Sequence, residues 1–379
     1  MNTAHLITNA RVVTRDAEFN GNVKVCNGRI AAVYGGAARK TAEDWQGDYL
    51  LPGFVELHTD NLEKHLMPRP KVSWPEFPAL LAHDAEIAAA GITTVYDALG
   101  VGDVDEAALR GKDATGLLNA LDRAENAGLL RAEHRLHVRC ELAVSNTLRL
   151  FEPFAACKRV GLISLMDHTP GQRQWTQIEQ ARVYYTGKKG WSNEKFDAVV
   201  AESKALQEQF AAPHRRHVVA HAREHGIPLA SHDDTTLDHV SEALREGIAV
   251  SEFPTTHEAA RVAHSNGMGV VMGAPNVVRG GSHSGNIAAA VLASDGLLDI
   301  LSSDYVPSSL LSAAFKLTTQ CGHTLPQAVN TISLNPARCL GLNDRGEIAE
   351  GKRADFSRVR VTDGVPSVIA VWRGGERIV

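Results

Sequence analysis

His58 and Asp60 stand two residues apart directly after the apolar run Leu50–Leu57, which predicts one β-strand. In a β-strand, alternate side chains point to the same face, so an imidazole and a carboxylate at this spacing can bind one ion. Mixed nitrogen and oxygen ligands suit Zn²⁺, Mn²⁺ or Fe²⁺. The spacing therefore predicts a metal site in this segment.

Seven further apolar runs also lead into polar residues with metal-binding or hydrogen-bonding side chains. These residues are Asp97, Glu141, Asp167, His168, His232, Asp233, Glu252, Asn276 and Asp304. If the runs are parallel strands whose carboxyl ends meet, the polar groups converge at one face. Crowded carboxylates and imidazoles are costly unless a cation lies among them, and a divalent metal meets that need. The alternative is that each residue is only a strand-end cap, which is the better explanation for any one of them taken alone.

The runs alternate with helical patterns, as in Thr235–Glu246 and His257–Ser265. Alternation of strand and helix is typical of a parallel sheet, and eight such units predict an α/β fold with a (β/α)₈ TIM-like barrel. Both ends of the chain instead carry short strands with Asn27-Gly28 and Asp363-Gly364 turns. We expect residues 1–50 and 345–379 to form a small β-sandwich domain and residues 51–344 to form the barrel.

Composition limits the classes of protein that this chain can be. Its 379 residues are 44% hydrophobic and 22% charged, which is typical of a globular protein. A net charge of −5 argues against a general nucleic-acid or anionic-membrane partner. No apolar run is long enough for a membrane helix, and the N-terminus lacks the pattern of a secretory signal. Five cysteines without a CxxC pair indicate reduced thiols and a cytoplasmic location. Association into a homo-oligomer is left open.

Three segments resemble the amidohydrolase superfamily. They are Pro52-Gly53 followed by His58-Thr59-Asp60, the eighth-strand pair Ser303-Asp304, and the return segment Gly346–Asp355. The usual first-strand motif is His-x-His, so Asp60 replaces the second histidine. The resemblance implies one or two divalent metal ions (Zn, Mn or Fe), with Asp304 also acting as general base for a water molecule. The implied ligands are His58, Asp60, Glu141, His168, His232 and Asp304. Glu252 stands where the sixth strand usually carries histidine.

Several segments are similar to one branch of that superfamily, which hydrolyses a ribose 1-methylphosphonate 5-triphosphate in phosphonate breakdown by the carbon–phosphorus lyase pathway. They include His58–His65, Met166–Gln174, Ser231–Asp234, and Met272–Asn276 with Val278–Asn286. The resemblance implies a small phosphorylated sugar as substrate and pyrophosphate as a product. Cationic side chains in several loops suit a polyanion. The candidate substrate-binding residues are Lys64, His65, Arg69, Arg173, Arg279 and His283.

Two alternatives keep parts of this interpretation. The same barrel and metal site could act on a carbon–nitrogen bond, in a cyclic amide or a deamination substrate. The chain could also be a scaffold subunit without activity, which the set His58, Asp60, His232 and Asp304 argues against. Residues 170–195 are further expected to form a lid.

Overall fold

The computed structural model describes residues 4–37, 42–105, 108–173, 178–282 and 285–379, together with all side chains of these ranges except those of residues 4, 180, 184, 188 and 189. Two sheets contain all the named strands of these residues. None of the helices in this part of the chain combines the length and the apolar character that crossing a bilayer requires.

The first sheet is built from strands at both ends of the chain. In chain order they are β1 (Ala4–Val13), β2 (Glu18–Cys26), β3 (Arg29–Gly35), β4 (Glu43–Asp44), β5 (Tyr49–Pro52), followed near the C-terminus by β14 (Phe356–Thr362), β15 (Val365–Arg373) and β16 (Glu376–Arg377). The strand order is β16-β15-β14-β5-β1-β2-β3, with β4 beside β1. Strand β14 runs antiparallel to β5, so the C-terminal segment pairs with the N-terminal one.

Both predicted hairpin turns are confirmed. Asn27 and Gly28 have φ angles of 51° and 74°, and Asp363 and Gly364 have φ angles of 51° and 79°. Positive φ at both central residues is the conformation that Asn-Gly and Asp-Gly pairs favour in tight hairpins. The first strand, β1, is longer than the short strands expected at the chain ends and has an irregularity between Ile7 and Ala10. Asn9, which lies there, has a φ of 54°.

The second sheet contains eight strands that follow one another in chain order. They are β6 (Phe54–Thr59), β7 (Ile92–Val101), β8 (Glu133–Glu141), β9 (Val160–Met166), β10 (Leu229–His232), β11 (Val250–Glu252), β12 (Gly269–Gly273) and β13 (Ile300–Ser302). Parallel pairing joins β6 to β7, and it also joins β8 to β9, β9 to β10, β10 to β11 and β11 to β12. Eight parallel strands alternating with helices confirm the predicted (β/α)₈ class.

Helices follow the strands of the second sheet. They are α1 (Asn61–Leu66), α2 (Glu76–Ala89), α3 (Thr115–Asn126), α4 (Thr147–Ala155), α5 (Ile178–Lys189), α6 (Asn193–His225), α7 (Leu237–Arg245), α8 (His257–Ser265), α9 (Ala274–Arg279), α10 (Ala289–Ser294), α11 (Ser309–Gln320), α12 (Leu325–Asn330) and α13 (Leu334–Cys339). Helix α8 has the predicted bounds. Helix α7 begins two residues later than predicted, because Thr236 caps it by accepting the backbone N–H of His239.

Two strands differ from the sequence-based prediction. The apolar run Leu50–Leu57 was expected to form one strand, but it is divided between β5 and β6 at Gly53. A side chain at Gly53 would collide with Thr93 of β7, so glycine allows the chain between β5 and β6 to lie close to β7. Asp97 was expected at a strand end, but β7 continues to Val101, and Asp97 is fully buried within the strand.

The chain divides into two compact units. The first unit comprises Met1–Asp97, Asn119–Arg135 and Met272–Val379, and the second comprises Ala98–Leu118 and Leu136–Val271. The first unit includes a core around Trp45, Phe356 and Trp372, whose rings lie 5.1–6.0 Å apart. The second includes a small core in which Ala181 of α5 packs with Phe196 of α6. The division at residues 50 and 345 into a sandwich and a barrel remains a prediction.

Candidate metal centre and active site

His58, Asp60 and Asp304 form one group of potential metal ligands, and all three lie in the first unit. A ligand atom from each lies within 4.8 Å of the others. Nε2 of His58 is 3.6 Å from Oδ1 of Asp60. The backbone determines this arrangement, because the N–H of Asp60 donates to the carbonyl of Asp304 (2.8 Å) and the N–H of Asp304 donates to the carbonyl of His58 (3.1 Å). The end of β6 is therefore joined to the segment that follows β13.

Glu56 supports the same segment from within β6. Its Oε1 accepts the backbone N–H of His58 at 2.7 Å, and its Oε2 accepts the backbone N–H of Ser303 at 2.6 Å. Burial raises the pKa of Glu56 to about 7, although these hydrogen bonds oppose the shift. Sequence analysis did not single out Glu56, since an acidic residue within an apolar run gave no indication of its partners.

His168, His232 and Asp233 form a second group, in the second unit, again with ligand atoms within 4.8 Å. Oδ2 of Asp233 is 3.3 Å from Nε2 of His232 and 3.9 Å from Nε2 of His168. Asp233 was noted at the end of its apolar run but was not among the predicted ligands. Its position directly after His232 was the signal that could have identified it.

Each histidine of this second group has a carboxylate partner on its other ring nitrogen. Nδ1 of His232 is 2.7 Å from Oε2 of Glu252, and Nδ1 of His168 is 2.5 Å from Oε2 of Glu141. Such partners are typical of metal-binding histidines, because they orient the ring and leave Nε2 as the ligand atom. Glu141 and Glu252 thus contact the two histidines through Nδ1, and a ligand role of Glu141 remains a prediction.

The pair formed by His168 and Glu141 has coupled pKa shifts. Burial lowers the pKa of His168, but the Glu141 carboxylate beside it raises the pKa above its usual value. Burial raises the pKa of Glu141, and the charge and hydrogen bonds of His168 lower it below its usual value. The ion pair is therefore favoured when no other cation is present.

Three residues at the ends of strands have left-handed backbone conformations. Asp233, Phe253 and Asp304 have φ angles of 55°, 55° and 54°. Phe253 and Asp233 are held by backbone hydrogen bonds of 2.9 Å to Val271 and Glu252. Such strain in residues other than glycine often accompanies functional sites, because the surrounding structure must stabilise it.

The cationic side chains predicted to bind substrate differ from one another in their exposure and in their partners. Nζ of Lys64 donates to the carbonyl of Tyr305 at 2.8 Å, directly after Asp304. Nε2 of His65 is 2.9 Å from Oε2 of Glu86. Arg69 and Arg279 are exposed, the latter at the end of α9. His283 lies outside the described residues.

Arg173 is nearly buried and has partners at the end of β10. Its Nη1 donates to the carbonyl of His232 at 2.9 Å and to Oδ1 of Asp234 at 2.5 Å. Its side chain is 6% exposed. This guanidinium therefore stabilises the segment that carries His232 and Asp233, and phosphate binding by Arg173 remains a prediction.

A cavity of about 380 Å³ lies beside His168 in the second unit. Its walls include Arg110, Glu141, Tyr185 and Trp191. The two aromatic rings stack with their centroids 4.9 Å apart. Tyr185 and Trp191 fall within the predicted lid at residues 170–195, of which residues 174–177 lie outside the described ranges. A moving lid remains a prediction.

A third group of titratable residues, in the first unit, is fully buried. Asp97 lies between two imidazoles, with its Oδ1 2.7 Å from Nε2 of His83 and its Oδ2 2.7 Å from Nδ1 of His134. Nε2 of His134 is 3.2 Å from Oδ1 of Asp84. The ring nitrogens of His134 thus face two carboxylates. Burial lowers the pKa of His134, but Asp97 and Asp84 raise it from 6.5 to about 9.

The raised pKa of His134 predicts that the folded protein loses stability at alkaline pH. The folded state binds the proton of His134 more tightly than the unfolded state, so the stabilisation is complete below pH 6.5 and is lost as the pH rises through about 9. The interval between these values corresponds to about 3 kcal/mol. Urea unfolding between pH 6 and 10 measures the effect. In His134→Gln, the free energy of unfolding should fall less between pH 6 and 10 than in the wild type. The surface variant His217→Gln should show the same fall as the wild type. An equal fall in both variants would contradict the assignment to His134.

Comparison with known proteins agrees with this architecture. Residues 49–378 match the model of the amidohydrolase family. The chain is 47% identical over 376 residues to alpha-D-ribose 1-methylphosphonate 5-triphosphate diphosphatase of Escherichia coli (strain K12), covering 98% of this chain and 100% of the relative.

Two solved structures share the fold. The N-acetyl-D-glucosamine-6-phosphate deacetylase of Mycobacterium smegmatis has a TM-score of 0.64 at 17% identity, covering 100% of both chains. The 5-methylcytosine deaminase of Klebsiella pneumoniae has a TM-score of 0.63 at 16% identity, covering 99% of this chain and 98% of the other. At these identities the likeness concerns the fold alone. The family match over most of the chain and the full-length relative establish that this protein is a hydrolase of the amidohydrolase family.

Proposed function

We propose that the protein hydrolyses α-D-ribose 1-methylphosphonate 5-triphosphate to the corresponding 5-phosphate and pyrophosphate. The observation that carries this proposal is the 47% identity to the Escherichia coli diphosphatase over 98% of the chain. The bond that breaks joins the first and second phosphoryl groups of the triphosphate, and water supplies the oxygen and the protons. The reaction belongs to phosphonate breakdown, and the five free cysteines support a cytoplasmic location.

Divalent metal is part of the proposal, because two groups of described residues have a suitable set of donors. His58, Asp60 and Asp304 form one group, and His168, His232 and Asp233 form the other. Each combines imidazole nitrogen with carboxylate oxygen, which Zn²⁺, Mn²⁺ and Fe²⁺ accept. A bound divalent ion would make a water molecule acidic enough to react near neutral pH and would offset phosphate charge. One or both groups hold an ion in this proposal.

The side chains of the first group have distinct tasks in the proposed reaction. Asp304 accepts the proton of the attacking water, since its carboxylate lies with His58 and Asp60 and its backbone is held by His58. Lys64 donates to a phosphate oxygen from its position beside Tyr305. Arg69 and Arg279, which are exposed, neutralise the outer phosphates.

Pyrophosphate release provides the direct test. Purified protein should release pyrophosphate from α-D-ribose 1-methylphosphonate 5-triphosphate, or from ribose 5-triphosphate, and should lose this activity when a chelator removes its metal. Elemental analysis should find about one or two divalent ions per chain. Metal without pyrophosphate release would contradict the substrate assignment and favour a carbon–nitrogen substrate, whereas absence of both bound metal and activity after metal addition would favour a scaffold.

A further inference from the structure

Asn61 connects the buried His83–Asp97 pair to the first ligand group. It is the first residue of α1, directly follows Asp60, and is fully buried. Its Nδ2 donates to Nδ1 of His83 at 3.2 Å and to Oε2 of Glu86 at 2.8 Å. Its Oδ1 accepts from Nζ of Lys64 at 3.2 Å. Both amide hydrogens and the amide oxygen therefore have partners.

The donors and acceptors in this chain of contacts are consistent with only one orientation of the amide. Nε2–H of His83 donates to the Asp97 carboxylate, which leaves Nδ1 of the neutral ring as an acceptor for Asn61. Burial lowers the pKa of His83 and so favours the neutral ring. A flipped Asn61 amide would direct its oxygen at the Glu86 carboxylate and its N–H groups at the Lys64 ammonium. Both contacts would be repulsive.

Lys64 is in this way held at two points. Nζ donates to Oδ1 of Asn61 and to the carbonyl of Tyr305, the residue after Asp304. A lysine side chain has considerable rotamer entropy, so two fixed acceptors reduce the cost of ordering its ammonium group for a ligand. The ammonium remains accessible, because Lys64 is exposed.

We propose that Asn61 is a positioning residue: oriented by His83 and Asp97, it places the ammonium of Lys64 beside the Asp304 segment to bind a phosphate of the substrate. This inference rests on the proposed triphosphate substrate, and it assigns a role to Asn61 and His83, which sequence analysis did not find. They are 22 residues apart in the chain, so local spacing gave no indication of their contact.

The test compares two readouts in Asn61→Ala. KM for ribose 5-triphosphate should rise about fivefold to tenfold, while kcat changes by less than about threefold, because a hydrogen-bond partner of a charged group is lost but Asp304 is retained. Acetylation of Lys64 by a lysine-specific reagent, measured by mass spectrometry, should become faster in the variant. The exposed Lys24 of β2 serves as the internal reference and should react at an unchanged rate.

Variants at His83 separate positioning from a general loss of stability. In His83→Gln, the glutamine side chain offers an amide N–H to Asp97 and an amide oxygen to Asn61. The KM of this variant and the rate of Lys64 labelling should therefore stay within about twofold of the wild type. His83→Leu offers neither group and should behave like Asn61→Ala. Asp84→Asn disturbs the far side of the buried network, at His134, and should lower stability without changing KM.

The outcomes distinguish this inference from the proposed function. Wild-type protein that releases no pyrophosphate contradicts the function, whereas faster labelling of Lys64 in Asn61→Ala would still support the positioning of the ammonium. Active wild-type protein with unchanged KM and unchanged labelling in Asn61→Ala would overturn the inference. Equal rises of KM in His83→Gln, His83→Leu and Asp84→Asn would also overturn it, because they would indicate a structural effect only.

Discussion

Replacing Asp304 with asparagine is expected to lower kcat for pyrophosphate release by roughly 100- to 10,000-fold, the usual contribution of a general base. Asparagine cannot accept the proton of the attacking water. It keeps nearly the same shape, and it tolerates the left-handed conformation of residue 304, whose φ is 54°. The backbone hydrogen bonds to His58 and Asp60 should therefore persist.

Steady-state kinetics at saturating metal, together with metal analysis of the same sample, measure the effect of Asp304→Asn. The matched control is Asp299→Asn, since Asp299 precedes the amino end of β13 and Asp304 follows its carboxyl end. The control should retain wild-type kcat. Turnover within about twofold of the wild type in an Asp304→Asn protein that retains its metal would exclude Asp304 as the base.

Loss of the Glu252 carboxylate is expected to weaken metal binding at His232 by about 10- to 100-fold, the usual effect of removing a partner behind a ligand histidine. Oε2 of Glu252 faces Nδ1 of His232 at 2.7 Å and accepts Ser164 Oγ–H at 2.8 Å, and the residue is fully buried. Histidine is usual in the sixth strand of the family pattern, whereas this chain has Glu252 there. The carboxylate of Glu252 contacts the fifth-strand histidine, His232.

Two substitutions at Glu252 separate the loss of the hydrogen-bond acceptor from the loss of the negative charge. The variant Glu252→Leu removes the carboxylate that accepts from His232 and Ser164. It should show the full loss of metal affinity, measured by competition with a chelator. The amide oxygen of Glu252→Gln can still accept from Nδ1 of His232, so this variant should lose less affinity. The exposed Glu258→Gln on α8 is the control. Unchanged affinity in Glu252→Leu would show that His232 needs no such partner.

Much of the second sheet was predictable from hydrophobic patterning. Apolar runs identified the eight strands because buried parallel strands are nearly continuous in apolar residues. The polar residues after the runs include His58, His168, His232 and Asp304, which the structure places in two groups of potential metal ligands. Asp304, directly after the eighth run, has a left-handed φ of 54°.

Partners across elements were not predictable in the same way. The Arg173 cation was visible in the sequence, but its pairing with Asp234 depends on how the segment after β9 approaches β10. Glu252 was visible as a departure from the family pattern. Its contact with His232 follows from the parallel register of β10 and β11, in which His232 and Glu252 are direct neighbours.

The amino-acid sequence by itself determined the fold class, the family and the strand-end positions at which polar side chains occur. These properties depend on hydrophobic patterns and on short motifs, which are formed by residues that lie close together in the sequence. Only the tertiary structure decided that Glu141 and Glu252 face histidines, that Asp233 joins His168 and His232, and that Asn61 faces His83. Those contacts depend on strand register and helix orientation, which are set by packing between segments that are distant in sequence.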